Sequence, residues 1–311
     1  MTEKTGICVL GSINADLTVS VERFPAPGET VAGSDFKIYT GGKGGNQAVA
    51  AARMGQKTYM IGCIGNDGNG AMYLDTFREN GIDTAFVRTC NEGIPTGCAL
   101  IEVDPSGQNR IAVVPGANAF LSEDVAIGAK EILSTCKVLL LQFETPVESS
   151  ITAAGIAREN GAKVVLDPAP AMPIRQELLD LCDYITPNET ELALISGLPA
   201  RTREEAAAAA RHLIGTSSLR VINKRGEMGS MLITSGQVKT YPALKVQAVD
   251  TTAAGDTFNG AFAAGLSMGL SEDEAILLAT AAAALSVTGK GAQSAMPHLD
   301  AALAFSRSLE C

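Results

Sequence analysis

Two aspartates bracket a run of small residues in DTTAAGDTFNG, positions 250–260, before an apolar segment patterned as a helix. Backbone amides around Ala254 and Gly255 can point at one space there, and a carboxylate at Asp256, in the first turn, can project into it. Such a carboxylate can take a proton from a hydroxyl while the amides hold a transferring phosphoryl group. A positioned base of this kind contributes about 10² to 10⁴ in rate. The same aspartate also suits the positive end of a helix dipole, worth about 0.3–1 kcal/mol, and Asp250 suits a turn. This stretch alone leaves both readings open.

Four other segments carry polar groups at the ends of apolar runs. TGGKGGNQA (40–48) sets four glycines around Lys43 before a helical run, either a plain strand-to-helix turn or a cradle where backbone amides approach an anion or hydroxyl. It is not a Walker A loop, which would need Gly at Lys37 and Ser or Thr at Gly44. GSINADLTV (11–19) puts Asn14 and Asp16 beyond the first strand, as Asx turns or as groups that hold a polar small molecule. ITPNETEL (185–192) offers Asn188 and Glu191, a helix cap or a pair that orders Mg²⁺ and its waters. NKRGEMGS (223–230) brings two glycines and two cations, as a surface turn or against a nucleotide.

The elements that must position these groups are short apolar runs: ICVLG (7–11), KTYMIGCIG (57–65), KVLLLQFE (137–144), KVVLDPAP (163–170), DYITPNE (183–189) and LRVINKRG (219–226). Each is read as leading into helical sequence. Continuous apolar runs indicate strands covered on both faces, hence an α/β fold, doubly wound, with a mainly parallel sheet and helices on both faces. Capping boxes at Thr202 with Glu205 and Ser271 with Glu274 mark two helix starts. TVAGSDFKIY (30–39) and TGCALIEVDPSGQNRIAVVPG (96–116) lack a following helix and read as antiparallel strands of a small separate sheet, a lid or a dimer surface. SMLITSGQVKTYPA (230–243) reads as a further hairpin.

Composition narrows the partners. A net charge of −10 with 24 Lys and Arg argues against nucleic acid, which needs a basic face. Seven cysteines without a C-x-x-C pair, and two histidines, argue against zinc and fit reduced thiols in the cytoplasm. No apolar run reaches the roughly 18 residues of a membrane span, and no G-x-G-x-x-G follows the first strand as a dinucleotide fold would require.

Taken in order, GSINADLTV, GGKGGNQA, PNETE, DTTAAGDTFNGAFAAG and SVTGKGAQSAMP resemble the ribokinase-like, PfkB-type carbohydrate kinases over nearly the whole chain. The resemblance implies one kinase domain over residues 1–311, with lid strands from about 12–40 and 95–116 through which homodimers form. It implies Asp256 as general base and Ala253, Ala254 and Gly255 as an anion hole. Asn14, Asp16, Gly42, Lys43, Asn46 and Glu144 would contact the sugar. Asn188 and Glu191 would organise Mg²⁺ and phosphates, and Asn188, Lys224, Arg225, Gly226, Gly229, Gly255 and Thr280 would line ATP. Asp250, Thr252, Ser286, Gly289 and Gly291 match a monovalent-cation loop, for K⁺ as an activator. Ala253 replaces the usual first glycine of the G-A-G-D motif that forms the anion hole, Lys-Arg-Gly at 224–226 replaces Thr-x-Gly, and Ala295 replaces a serine near the cation.

The expected reaction is transfer of the γ-phosphoryl of ATP to the primary 5-hydroxyl of D-ribose. The alternatives are a kinase for 2-deoxyribose, another sugar or a nucleoside such as pseudouridine, and a catalytically silent sugar- or nucleotide-binding protein.

Overall fold

Runs of four to seven residues with every position buried have no face to give to solvent. In the computed structural model, which describes residues 4–307, they form the middle of a nine-stranded sheet. The first half of the chain builds β1 (Ile7–Leu10), β2 (Asn14–Val21), β3 (Gly33–Gly41), α1 (Lys43–Arg53), β4 (Thr58–Ile64), α2 (Gly68–Glu79), β5 (Asp83–Thr89), β6 (Gly97–Val103), β7 (Asn109–Val114), α3 (Glu123–Gly128), α4 (Lys130–Thr135), β8 (Val138–Leu141) and α5 (Val147–Glu159). The second half adds β9 (Lys163–Leu166), α6 (Gln176–Leu181), β10 (Tyr184–Ile185), α7 (Glu189–Ser196), α8 (Arg203–Ile214), β11 (Arg220–Lys224), β12 (Ser230–Ile233), β13 (Val238–Tyr241), α9 (Ala254–Met268), α10 (Glu272–Ser286) and α11 (Leu299–Ser306).

The large sheet runs β13-β12-β11-β10-β9-β8-β1-β4-β5, parallel from β5 through β11 and antiparallel at β12 and β13. Alternation along β1 and β8 divides the core. Cys8, Leu10, Leu139 and Leu141 pack with residues of α3 to α8, while Ile7, Val9, Val138 and Leu140 pack with α1, α9 and α10. The capping boxes at Thr202 with Glu205 and at Ser271 with Glu274 both form. The six described cysteines are free thiols, and Cys311 lies outside the described residues.

Three details differ from the pattern expected of the sequence. β1 leads not into a helix but across to β2 of the small sheet, and the chain returns through β3 into α1. β11 leads through a single 3₁₀ turn, Gly226–Met228, into the antiparallel hairpin of β12 and β13, and not into an α-helix. β5, the charged and half-exposed DTAFVRT, forms the sheet edge without the continuous apolar signal of the inner strands.

The small sheet runs β3-β2-β6-β7. Its β6–β7 connection is a tight turn, in which Gly107 at φ 82° donates its amide to the Asp104 carbonyl at 3.0 Å. Register puts Leu17 opposite both Ile38 and Leu100, and Val19 opposite Phe36, so these share one face. Phe36, Ile38 and Leu100 on it are 59%, 44% and 50% exposed. The opposite face carries Asn14 and Asp16.

Candidate active site

The glycines of GGKGG let the start of α1 press against the junction of β1 and β2. Gly42 sits at φ 78°, and a Cβ there would lie 2.7 Å from the Asn14 amide nitrogen. A Cβ on Gly44 would lie 2.6 Å from the backbone of Gly11 and Ser12. In this contact the Lys43 amide donates to Glu144 Oε2 at 3.0 Å, and the Ser12 hydroxyl donates to the same oxygen. Asn14 is held from behind, its Oδ1 accepting from Asn118 Nδ2 at 2.7 Å. Asn14, Asp16, Gly42, Lys43 and Glu144 are thus brought to one place at the carboxyl end of the sheet, where open α/β folds bind ligands.

Asp256 lies across from them in the first turn of α9 and is 6% exposed. Its Oδ2 accepts from Asn46 Nδ2 at 2.9 Å and its Oδ1 from Gln47 Nε2 at 3.1 Å. Gln47 also donates to Asp167 Oδ2 at 3.1 Å, and Asp167 Oδ1 accepts from the Lys224 ammonium at 2.9 Å. Gln142 Nε2 donates to Gln47 Oε1 at 2.7 Å, which fixes the end of the Gln47 amide that faces the carboxylates. Sequence patterning singles out none of Gln47, Asp167 and Gln142, although each lies in a stretch that it marks. Asp167 follows the apolar run of β9, and that position at a strand's carboxyl end is the signal that could have found it.

Ala253, at the N-cap of α9, is the one non-glycine residue with positive φ among the described residues, at 60°. It stands where the related motif has glycine. The Ala254 amide reaches the Thr251 carbonyl at a long 3.3 Å, and the first-turn amides of Gly255 and Asp256 have no carbonyl acceptor. These donors and the helix dipole favour an anion beside the Asp256 carboxylate.

Burial shifts the acids here. It raises Asp256, against the lowering influence of Lys43, and Asp167 raises it further. Burial alone would depress the Lys43 ammonium, but Asp256, Asp167, Glu144 and Glu191 outweigh it and hold Lys43 above its ordinary value. Asp16 is pushed from 3.8 up to about 7 by burial, then by Glu144 and Asp256. The sign follows from proton counting: above the unfolded value the unfolded chain has released this proton, while the native chain keeps it until about pH 7. Stability from this group therefore falls as pH rises from about 4 to about 7. Asp16→Asn is expected to flatten that part of the Tm-against-pH curve, measured by calorimetry; an unchanged slope would contradict it.

Asn188 and Glu191 form a reciprocal capping box at the start of α7, with both hydrogen bonds at 2.8 Å. Burial raises the Glu191 carboxyl, partly offset by Lys224. Lys224 points toward α9, where a Cβ on Gly255 would lie 3.4 Å from its Nζ. Its ammonium therefore stands beside the open amides of that helix. Arg225 is 4% exposed, and its guanidinium donates to the carbonyls of Arg201 and Thr202 and to Asn223 Oδ1. Gly226 and Gly229 form the turn beyond it, and the Thr280 hydroxyl donates back to the Ile276 carbonyl at 2.8 Å within α10.

Asp250 joins two loops. Its Oδ1 accepts from the Thr252 amide and its Oδ2 from the Gly291 amide, both at 2.9 Å. Ser286 donates to the Ala283 carbonyl at 2.9 Å, and Gly289 lies between it and Gly291. Among the described residues no group of three or more His, Cys, Asp or Glu side chains is arranged to hold a metal ion. No helix among them is long and apolar enough to cross a membrane.

This arrangement of a buried carboxylate, open helix amides and cations suits phosphoryl transfer to a hydroxyl, and comparison with known proteins agrees. The chain is 45% identical to a ribokinase of Haemophilus influenzae over 299 residues, 96% of this chain and 97% of that protein. It is 37% identical to a deoxyribokinase of Salmonella typhi over 298 residues, 94% of this chain and 96% of that protein. A structure of Arabidopsis thaliana ribokinase complexed with ribose and ATP superposes with a TM-score of 0.92 at 35% identity, covering 98% of this chain and 99% of that one. The family described as pfkB family carbohydrate kinase matches residues 4–299, and the chain belongs to that family.

Proposed function

We propose that this carbohydrate kinase transfers the γ-phosphoryl group of ATP to the primary 5-hydroxyl of D-ribose. The observation that carries the reading is the buried Asp256 carboxylate, oriented by Asn46 and Gln47 beside the open amides of α9. Asp256 takes the hydroxyl proton, the sugar oxygen bonds to the γ-phosphorus, and the bond to the β-phosphate oxygen breaks to release ADP. Ala253, Ala254 and Gly255 hold the charge of the transferring group, with Lys43 and Lys224 on either side. Asn14, Asp16, Gly42 and Glu144 hold the sugar.

The residues fit Mg²⁺ bound through water, because Glu191 supplies a buried carboxylate at the start of α7 and magnesium uses few protein oxygens. When bound with ATP it supplies neutralisation of the phosphate charge. K⁺ fits the loops joined by Asp250 as an activator held by backbone carbonyls. Reduced thiols and a need for ATP suit the cytoplasm. Ribose is preferred to deoxyribose because the ribokinase relative is the more similar one. An ADP-release assay over ribose, 2-deoxyribose and nucleosides, with and without K⁺, tests this. At least a roughly tenfold kcat/KM preference for ribose is expected, and a comparable preference for another acceptor would overturn the substrate.

The apolar outer face of the small sheet supports a homodimer, since Phe36, Ile38 and Leu100 are costly to leave in water. Leu100→Glu is expected to convert the dimer to a monomer in sedimentation experiments. A parent that sediments as a monomer would dismiss the dimer.

A further inference from the structure

A primary amide supports a carboxylate only when its NH2 end faces it. For Asn46 the surrounding network decides which end that is. The Gly41 carbonyl only accepts, so the Tyr73 hydroxyl donates to it and keeps a lone pair, which receives Gln293 Nε2 at 2.9 Å. The same Nε2 donates to Asn46 Oδ1 at 3.0 Å, leaving Asn46 Nδ2 turned to Asp256 Oδ2. Gln293 Oε1 accepts from the Thr40 hydroxyl at 2.7 Å, and the Gln293 carbonyl accepts from Arg53. Gln293 is 4% exposed, so these bonds do not compete with bulk water.

We infer that Gln293 is a positioning residue for phosphoryl transfer: it locks the Asn46 amide with its donors toward Asp256 and ties that lock, through Thr40, to the root of the small sheet. The inference rests on the reading of Asp256 as the base. Without the Gln293 donor the Asn46 amide can rotate and present its oxygen to the carboxylate, which disfavours the ionised form. The other groups facing Asp256 are Lys43 on α1, Asp167 after β9, Asp16 on β2 and Tyr73 on α2, with Glu144 and Lys224 behind them. All of them remain in a Gln293 variant.

The test measures kcat and KM against pH for Gln293→Met and Gln293→Glu, with Asp256→Asn in parallel and folding followed by circular dichroism. Gln293→Met is expected to lower kcat about tenfold at neutral pH and to move its acidic limb up by about one unit. Gln293→Glu is expected to do more, because an ionised carboxylate only accepts and draws the Asn46 NH2 away from Asp256. Tyr73→Phe, which keeps Gln293 but removes its acceptor, is expected to shift the limb less and in the same direction, and serves if a Gln293 variant fails to fold. A lower Tm with an unmoved acidic limb would overturn the inference. So would parental kinetics in these variants beside an inactive Asp256→Asn, with the base reading intact. Near-parental turnover in Asp256→Asn would instead remove the base reading itself.

Discussion

Asp256→Asn is expected to lower kcat by at least about 10² to 10⁴, the usual contribution of a positioned base, while sugar binding stays measurable by calorimetry. The shape of the side chain is kept, but its NH2 must meet either Asn46 Nδ2 or Gln47 Nε2, both donors, so one of two hydrogen bonds is lost. Folding should suffer little. The carboxylate is unfavourably buried and sits near Asp167, and its removal relieves both effects while leaving Lys43 with Asp167, Glu144 and Glu191. In the parent, kcat should fall as pH drops through the raised value of Asp256, because protonation removes the base. A variant with near-parental kcat would end the assignment.

The fold and the centre of the site are legible in the sequence because both are written in contiguous residues. Apolar runs report strands buried on both faces, and the loop before α9 reports amides beside a carboxylate. The network around that carboxylate is not legible in the same way. Gln47 meets Asp167 across 120 positions and Gln293 meets Asn46 across 247, and no spacing rule links residues so far apart. Arg225 shows the same limit from the other side. A cation beside a glycine turn suggests a phosphate, yet two carbonyls at 201 and 202 claim its guanidinium. Strand β5 gives no continuous apolar signal because an edge strand needs only part of its residues apolar.

Gly260→Ala is expected to lower both stability and turnover, whereas Gly155→Ala is expected to raise stability and leave turnover alone. Both glycines lie inside helices, α9 and α5, where alanine gains about 1 kcal/mol in propensity. Nothing stands within 4 Å of a Cβ on Gly155, so there the gain is unopposed. A Cβ on Gly260 would lie 2.5 Å from Ala50 Cβ, 2.7 Å from the Gln47 carbonyl oxygen and 2.9 Å from the Ala51 amide nitrogen. Two of those atoms are backbone, so α1 and α9 must separate, at an overpacking cost of about 1–3 kcal/mol that outweighs the propensity gain. The consequence for chemistry is larger than for folding. α1 carries Asn46 and Gln47, α9 carries Asp256, and a displacement of about 1 Å between reacting groups costs about 10² in rate. Thermal melts and steady-state kinetics on the two variants check this, and a Gly260→Ala protein with parental Tm and kcat would show that the helix contact does not set the position of the base.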